Sequence, residues 1–541
     1  MTKAFNNPLK KSVADAVSCI SDNPLLIHMA LIAFHSCLNY WVITENKLPM
    51  FGDDAAQAVT AIRMAEDIRN GQAMQILNYG ISQPMLHVLL GSWVVILFGA
   101  SDKALILLNI PFMAILVFSI FGIGRMLHSK GAGVLAAIVV MSFPHVFGLS
   151  RVFFYDYPFM CSVTLAIYAM LKTDSYRSRK WCIMFGLALA LAADLKTTAS
   201  VYLAGPIIWH AFIAVKKGEM RPKIANAAMT ALGFVIGTAP FYLPAIGSLS
   251  RHALEAVTVD MTPQQNMGPV GLFLFGIRYY VGNLAGYQIL HFYFIILAAG
   301  ACFLAIRRRW LLLCWMLIPI VFFSLVSNNL DVRFTLPILP AAALIISIFA
   351  YEPRPHHRPI IAVIAAVGLL QTVYVSAATN HDALGMMNRE LMLSGMTVQM
   401  FQHEQYGPNP FDMHMRGLAY PVQYTWNTDD IMEILESYHD PLKHEKVLAY
   451  STPLGFALDY LLVSGDSGMS ILCTDCGTSR DLIRQADYVL RSDIDQMQDK
   501  EVHQDVLRNN PGYQNFSPEG FSAVGAVPYP GVTLYIYKRI Y

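Results

Sequence analysis

Long apolar runs separated by short polar turns dominate the first 380 residues of the chain. A run of about 20 mostly apolar residues is long enough to cross a bilayer as a helix. The segments that qualify are 25–45, 84–100, 103–124, 131–149, 154–171, 181–195, 198–215, 224–246, 286–306, 310–327, 333–350 and 359–378. This pattern predicts a polytopic α-helical membrane protein.

Positive charge predicts the orientation of these segments, because short loops rich in Lys and Arg stay cytoplasmic. The clusters are Lys3/Lys10/Lys11, Arg125/Lys130, Lys172/Arg177/Arg179/Lys180, Lys216/Lys217/Arg221/Lys223, Arg307/Arg308/Arg309 and Arg354/Arg358. All of them fall on one side only if segment 84–100 enters the membrane without crossing it. Gln83-Pro84 and Gly91-Ser92 favour such a half-inserted segment. We therefore predict about 11 spans, with residues 1–24 cytoplasmic and the C-terminus outside.

The pattern changes after the membrane module, which we place at 25–380 with an extracytoplasmic loop at 46–82. Residues 381–541 carry more Asp, Asn, Gln and Gly and contain no further span. KVLAYSTP, ADYVLRS and VTLYIYKR are typical of strands, and SRDLIRQA is typical of a helix. The sequence therefore predicts a C-terminal extracytoplasmic α/β domain.

Composition excludes several other classes of protein. Hydrophobic residues make up 55% of the chain and charged residues 14%, whereas soluble domains carry about 25% charged residues. The net charge of +1 gives no basic surface for nucleic acid. We expect Cys473 and Cys476 to form a disulfide if they lie outside the cell; paired thiols and a metal or redox site remain alternatives.

The first pair of candidate residues is Asp53-Asp54, directly after the first span. A carboxylate is a suitable general base for a hydroxyl nucleophile. In the alternative interpretation, Asp54 caps a helix together with Gln57. The apolar row Val59, Ile62, Ala65 and Ile68 predicts that this helix lies on the membrane surface.

The second group lies in SRVFFYDYP, between two predicted spans. Arg151 and Asp156 either pair with each other or act separately. In the second case, Arg151 meets an anionic lipid head group and Asp156 holds a donor or a metal. Charges near membrane depth are costly and favour a functional role.

Two further cations close the set of candidates. Lys196 follows the span GLALALAADL, where it either snorkels to the interface or contacts a phosphate. Arg333 begins a span on the predicted outer face, where topology does not call for positive charge. Cations and carboxylates in one leaflet suit transfer from a lipid-linked phosphate better than transport, because transporters place polar sites near the midplane.

The order of these motifs resembles that of the GT-C glycosyltransferases. Two acidic residues after the first span precede SRxxxxxD (SRVFFYD), GLAxxLAxxxK (GLALALAADLK) and a span beginning R-F-x-L-P. The likeness covers roughly 25–380 and is greatest to the protein O-mannosyltransferase and aminoarabinose (lipid A) transferase group. Asp53-Asp54 stands where that group has Asp-Glu, and Gln83-Pro84 where it has Pro-Pro. The Asp-Asp pair is also similar to the motif of the arabinofuranosyltransferases in the same superfamily, so the resemblance does not decide which sugar the donor carries.

The resemblance implies a membrane enzyme that moves a hexosyl or pentosyl unit from a polyprenyl-phosphate-linked donor to a hydroxyl, inverting the anomeric carbon. It implies catalytic roles for Asp53, Asp54 and Asp156, with Arg151, Lys196 and Arg333 on the donor phosphate. A divalent metal ion is used by some relatives and not by others. The acceptor is a glycan, lipid or protein, and we expect a bacterial inner membrane. A transporter of a lipid-linked or anionic substrate and a membrane scaffold are the alternatives.

Overall fold

The computed structural model describes residues 23–47, 50, 52–72, 85–216, 218, 220–258, 268–326, 331–352, 357–377, 391–393, 396–398, 428–449, 452–465, 467–472, 485–492, 521–529 and 532–540. The predicted disulfide pair, Cys473 and Cys476, lies outside these residues. So does most of the predicted helix SRDLIRQA.

Contacts within the chain define two compact units. The first, here the helical unit, comprises Met1–Thr44, Ile76–His87 and Leu107–Tyr420. The second, here the mixed unit, comprises Glu45–Gln75, Val88–Ile106 and Pro421–Tyr541. This division differs from the single predicted boundary at 381, because two earlier segments group with the C-terminal part of the chain.

The described helices follow in chain order. They are α1 (Pro24–Glu45), α2 (Gly52–Arg69), α3 (Leu86–Phe98), α4 (Asp102–Leu107), α5 (Asn109–Leu127), α6 (Lys130–Met141), α7 (Pro144–Leu149), α8 (Asp156–Lys172), α9 (Arg179–Leu195), α10 (Ala199–Lys216), α11 (Met220–Thr258), α12 (Pro269–Asn283), α13 (Leu290–Ile306), α14 (Trp310–Val326), α15 (Leu339–Ala350), α16 (His357–Ala377), α17 (Thr428–Tyr438) and α18 (Thr452–Ser464). A π-helix covers Leu284–Gln288 and a 3-10 helix covers Val332–Ile338.

Six of the described helices are long and apolar enough to cross a membrane, or seven if one bent pair counts as a single span. Three shorter apolar helices accompany them, at Leu86–Phe98, Lys130–Met141 and Trp310–Val326. The predicted total of about 11 spans is therefore not confirmed. Leu86–Phe98 has 13 residues, so it is about 20 Å long and too short to cross a 30 Å hydrocarbon core alone.

The core of the helical unit surrounds α8 and α15, whose apolar side chains are almost all buried. Small residues bring other helices close together. A Cβ atom on Gly186 of α9 would lie 2.2 Å from the Thr230 carbonyl oxygen of α11, and one on Gly237 would lie 2.4 Å from Ala190 Cβ. Helices approach this closely only where one of them lacks a side chain. The glycine of the GLALALAADLK motif is therefore a helix-packing residue.

In the mixed unit, a five-stranded sheet has the order β4-β3-β5-β7-β6. Its strands are β3 (Glu445–Ala449), β4 (Met469–Ile471), β5 (Tyr488–Ser492), β6 (Phe521–Tyr529) and β7 (Val532–Arg539). A separate antiparallel pair joins β1 (Leu391–Leu393) to β2 (Met396–Val398) in the helical unit. β3 pairs in parallel with β4 and β5, while β7 is antiparallel to β5 and β6. All three predicted strands are present within this sheet.

Helix α2 belongs to the mixed unit, where it packs on α18. Val59, Ile62 and Ala65 are buried, and Arg63 Nη2 lies 3.2 Å from Asp459 Oδ1 of α18. The apolar row that predicted a helix on the membrane surface is thus buried in protein, so that prediction is wrong. Gly71 has a φ of +75° just after the helix, a conformation typical of the residue that follows a helix C-terminus.

Candidate functional site: a buried ionic cluster in the helical unit

Asp156 and Lys196 form the centre of the candidate site. Lys196 Nζ lies 2.6 Å from Asp156 Oδ1, and Asp156 is only 1% exposed. Asp156 is in the first turn of α8, and Lys196 directly follows the end of α9. Each charge therefore lies at a helix end that stabilises it, because helix N-termini favour anions and helix C-termini favour cations.

Arg333 adds a second cation to this centre. Its Nη1 lies 3.9 Å from Asp156 Oδ2, while its Nε donates to Asp331 Oδ2 at 2.6 Å and its Nη2 is paired with the same oxygen. Asp331 also caps the 3-10 helix by accepting from the Arg333 backbone N–H at 2.8 Å. Arg333 was predicted from the sequence, whereas its pairing with Asp331 two residues earlier was not.

Aromatic rings cover the two cations. Lys196 Nζ is 5.0 Å from the Tyr155 ring centroid and 5.3 Å from that of Phe334, and Arg333 Cζ is 4.9 Å from that of Phe154. Ring faces attract cations, most strongly where water is excluded. Phe154 and Tyr155 are the two residues before Asp156, and Phe334 follows Arg333. The rings and the charges therefore belong to the same two sequence motifs.

Hydrogen bonds to the backbone fix the segment that carries Arg333. Gln288 Nε2 donates to the Val332 carbonyl at 2.8 Å, and Thr335 Oγ1 donates to Gln288 Oε1 at 3.0 Å. Tyr202 donates its hydroxyl proton to the Phe334 carbonyl. Sequence reasoning did not find Gln288 or Tyr202, because nothing in the chain order places them beside residue 333.

The cluster still has charged and polar atoms that could bind a ligand. The side chains of Lys196 and Arg333 are each 11% exposed. Among the described residues, neither Asp156 Oδ2 nor the buried Asp194 Oδ1 has a hydrogen-bond partner. Buried carboxylate oxygens that lack a donor are costly, and such strain is typical of functional sites. This arrangement can hold an anion against its cations and can accept a proton at a carboxylate.

Arg151 lies in a different environment of the same unit. Its Nε donates to Asn39 Oδ1 at 2.8 Å, its Nη2 donates to Ser376 Oγ at 2.7 Å, and its Cζ lies 4.9 Å from the Phe147 ring centroid. Since Asp156 pairs with Lys196 and Arg333, the alternative in which Arg151 and Asp156 pair only with each other is wrong. Lys196 is 9% exposed, so it does not snorkel to the interface.

Asp53 and Asp54 belong to the mixed unit, in the first turn of α2. Asp54 is buried and Asp53 is partly exposed. Because α2 begins at Gly52, Asp54 lies inside the first turn rather than before it, and the predicted N-cap position for Asp54 is wrong. Both carboxylates still lie at a helix N-terminus, where negative charge is stabilised.

The sequence does not decide whether the site uses a divalent metal ion. Within the described ranges, no group of three or more His, Cys, Asp or Glu side chains could hold a metal ion. Asp156 and Asp331, the nearest carboxylates to the cluster, are instead paired with Lys196 and Arg333. The carboxylates of this cluster are thus engaged by the two cations and are not arranged as a set of metal ligands.

The bundle of apolar helices with ionic residues at the helix ends defines an integral membrane protein, and the order of its motifs resembles that of the GT-C glycosyltransferases. In sequence, residues 82–243 match the family of dolichyl-phosphate-mannose-protein mannosyltransferases. No curated protein matches the chain significantly. The matched segment contains Arg151, Asp156 and Lys196.

Solved structures show the same fold. ArnT from Cupriavidus metallidurans bound to undecaprenyl phosphate superposes with a TM-score of 0.57 at 14% identity, covering 94% of this chain and 97% of that chain. An oligosaccharyltransferase from Archaeoglobus fulgidus, tethered to an acceptor peptide, superposes with a TM-score of 0.51 at 12% identity. That match covers 94% of this chain and 74% of the other chain. The resemblance to GT-C glycosyltransferases inferred from the sequence is therefore confirmed.

Proposed function

We propose that this chain is an integral-membrane glycosyltransferase that moves a sugar from a polyprenyl-phosphate-linked donor to a hydroxyl acceptor on the extracytoplasmic face. The observation that carries the proposal is the Asp156–Lys196–Arg333 cluster on a GT-C fold. We assign the protein to a bacterial inner membrane, with its N-terminus cytoplasmic. The acceptor class, whether glycan, lipid or protein, is left open.

Lys196 and Arg333 hold the donor phosphate in this mechanism. An arginine binds two phosphate oxygens at once through its planar guanidinium, and a lysine acts as a point charge. As the glycosidic bond breaks, negative charge grows on the departing phosphate, and preorganised cations stabilise it most in a site with little water. Asp156 and Asp331 keep both cations oriented before the donor arrives.

Asp53 activates the acceptor hydroxyl as the general base. This role comes from the position of Asp53 in the first motif of the resemblance, with Asp54 as a neighbouring carboxylate and Asp156 as a second acidic site residue. Attack by the hydroxyl opposite the departing phosphate inverts the anomeric carbon. Arg151 positions the segment 150–156 through Asn39 and Ser376.

The neighbouring ArnT structure supports a polyprenyl donor, because that protein was solved with undecaprenyl phosphate. A fold shared over 94% of this chain makes the same kind of lipid carrier the first candidate donor. The sugar attached to it is left open as a hexose or pentose.

The experiment that tests the proposal measures the release of free polyprenyl phosphate by purified protein. A panel of polyprenyl-phosphate sugars is supplied with a mixed membrane extract as acceptor. Wild type is compared with Lys196→Gln and Asp53→Asn, and the matched controls are Lys172→Gln at the other end of α8 and Glu66→Gln on the exposed side of α2.

We expect release by wild type and by both controls, and at least a 100-fold loss in Lys196→Gln and Asp53→Asn. A single donor or oxyanion contact is typically worth a factor of that size in rate. Equal release by Asp53→Asn would refute its role as base. Release that survives both site substitutions, or movement of the intact donor across vesicles without release, would favour the transporter.

A further inference from the structure

A cavity of about 420 Å³ lies within the helical unit, apart from the ionic cluster. Five apolar residues near the ends of different helices line it: Leu127, Leu171, Leu304, Leu312 and Ile348. Asp156 begins α8 and Leu171 is near its end, and 17 helical residues span about 25 Å. The cavity and the ionic cluster therefore lie at opposite ends of α8.

Two arginines give this cavity a positive rim. Arg308 and Arg309 line it, and among the described residues neither has an ion pair with a carboxylate. Their neighbour Arg307 does have one, because its Nη2 lies 3.9 Å from Glu352 Oε1. Asp174 is the acidic residue in the lining, so the arginines leave the rim with a net positive charge.

The rest of the lining is suited to a lipid. Trp209 and Trp310 lie in it together with the leucine and isoleucine side chains. Tryptophan prefers the boundary between hydrocarbon and head groups. A cavity of this volume is in the size range of small-molecule sites and accommodates a phosphate head group with the first methylenes of its chains.

Backbone strain is concentrated at the same cavity. Five non-glycine residues of the described chain have a positive φ, and three of them line the cavity: Asp174 (47°), Ser175 (59°) and Arg308 (55°). A fourth, Tyr176 (63°), follows Ser175 directly. Left-handed backbone is costly for residues with a Cβ, and such strain collects at functional sites.

Hydrogen bonds hold the strained turn in place. Thr173 Oγ1 lies 3.1 Å from His210 Nε2 and accepts from the Tyr176 backbone N–H at 3.2 Å. Asn226 Nδ2 donates to the Tyr176 carbonyl at 2.8 Å. These bonds fix one side of the cavity, while the backbone bonds Arg308 N to Ala305 O and Arg309 N to Leu304 O fix the other.

We propose that this cavity binds the phosphate of an anionic phospholipid, with Arg308 and Arg309 on the head group and Trp209 and Trp310 beside the upper part of the acyl chains. The site is distinct from the donor site, because α8 separates the two along its whole length. It holds a structural or regulatory lipid at the membrane surface opposite the ionic cluster. Basic cavities between membrane helices are suited to this kind of ligand.

The test measures binding of phosphatidylglycerol to delipidated full-length protein in detergent, by native mass spectrometry. Phosphatidylcholine and inorganic phosphate are run as separate probes. The variants are Arg308→Gln/Arg309→Gln and, as a matched control, Arg177→Gln/Arg179→Gln, whose side chains are exposed and do not line the cavity.

We expect phosphatidylglycerol to bind more tightly than phosphatidylcholine and to lose about 25-fold in affinity in Arg308→Gln/Arg309→Gln, about fivefold for each arginine. The control pair changes affinity less than twofold. Equal losses in both pairs would overturn the proposal, as would phosphatidylglycerol binding unchanged in the cavity variant. Competition by millimolar inorganic phosphate that removes the lipid would assign the cavity to a soluble anion instead.

Two further variants separate binding from folding. Arg308→Gly removes a charge and suits the left-handed backbone, so we expect weaker lipid binding at equal or higher thermal stability. Asp174→Asn removes the like charge and keeps a residue that tolerates this backbone, so we expect severalfold tighter binding. If Asp174→Asn weakens binding, the lipid phosphate is not held on this rim.

Discussion

Lys196 and Arg151 are both cations buried in the helical unit, but their described hydrogen-bond acceptors differ in charge. Lys196 meets the carboxylate of Asp156 at 2.6 Å. Arg151 meets neutral acceptors, the amide oxygen of Asn39 and the hydroxyl oxygen of Ser376. The sequence assigned both residues to the same phosphate, because both lie at predicted span ends in motifs of the same resemblance.

This difference in partners indicates a different function for each of the two cations. A lysine ammonium paired with a carboxylate keeps further N–H donors, so Lys196 can contact a phosphate oxygen as well as Asp156. A cation held by an amide and a hydroxyl joins three segments, here α1, the turn before α8 and α16, and loses that function if it moves. We therefore propose that Lys196 and Arg333 bind the phosphate and that Arg151 holds the turn before α8 against α1 and α16.

The largest effect is expected for Lys196→Met, which leaves Asp156 charged and buried. Removing one partner of a buried ion pair costs about 3–5 kcal/mol, so the thermal unfolding temperature falls sharply and donor turnover is lost. Lys196→Met/Asp156→Leu removes both charges, and we expect it to regain most of the stability with no turnover. A double variant that stayed as unstable as the single one would show that the pair does not account for the loss.

A smaller effect is expected for Arg151→Leu, which leaves Asn39 and Ser376 without their donor. Buried polar groups left unsatisfied cost about 1–3 kcal/mol. We expect that loss in thermal stability and a turnover per folded molecule within about threefold of wild type. Turnover and stability are measured on the same preparation. A 100-fold loss of turnover with normal stability would return Arg151 to the donor phosphate.

Gly186→Ala tests whether Lys196 depends on the packing of its own helix. The added Cβ would lie 2.2 Å from the Thr230 carbonyl oxygen, and overpacking costs about 1–3 kcal/mol. We expect lower stability together with a raised KM for the donor, since α9 carries Lys196 at its end. Gly268→Ala is the control, because a Cβ there meets nothing within 4 Å. If the two variants behave alike, close packing at Gly186 is not important.

The smallest effect concerns an ionic cluster outside the membrane helices, at Glu445. Burial raises the pKa of Glu445, but the contacts with His439 Nδ1 (2.6 Å), the Asp440 backbone N–H (3.1 Å), Lys538 and the Tyr488 hydroxyl outweigh burial and lower the pKa overall. A lowered pKa stabilises the fold above the ordinary Glu pKa of about 4.3, and that contribution disappears as pH falls through the lowered value.

Thermal unfolding at pH 6, 5, 4 and 3.5 checks this cluster. We expect wild type to lose more stability than Glu445→Gln below a pH of about 4.5, since only wild type has the ionised carboxylate to lose. Parallel curves for the two proteins would contradict the assignment. The amide in the variant keeps the shape of the side chain, so the comparison isolates the charge.

Sequence reasoning identified the cations and carboxylates but not all their partners. The resemblance rests on Asp53-Asp54 followed in order by Arg151, Asp156, Lys196 and Arg333, and the last three of these meet in space. Asn39 and Ser376 were missed because they are neutral residues within apolar spans, far from residue 151 in sequence. The Arg63–Asp459 pair of the mixed unit was also missed, because the residue pattern of α2 alone cannot indicate a partner helix whose Asp459 lies 396 residues later.

The short helix α14 has a consequence for the surrounding bilayer. Trp310–Val326 has 17 residues and exposes Leu317, Phe322 and Leu325. Its length is about 26 Å, a few ångström less than an average hydrocarbon core, and any tilt shortens its reach further. A span of this length is matched by local thinning of the bilayer or by flanking side chains that reach the interface, at a modest free-energy cost for each ångström. A bilayer of shorter acyl chains relieves this mismatch and is the more favourable host for the protein.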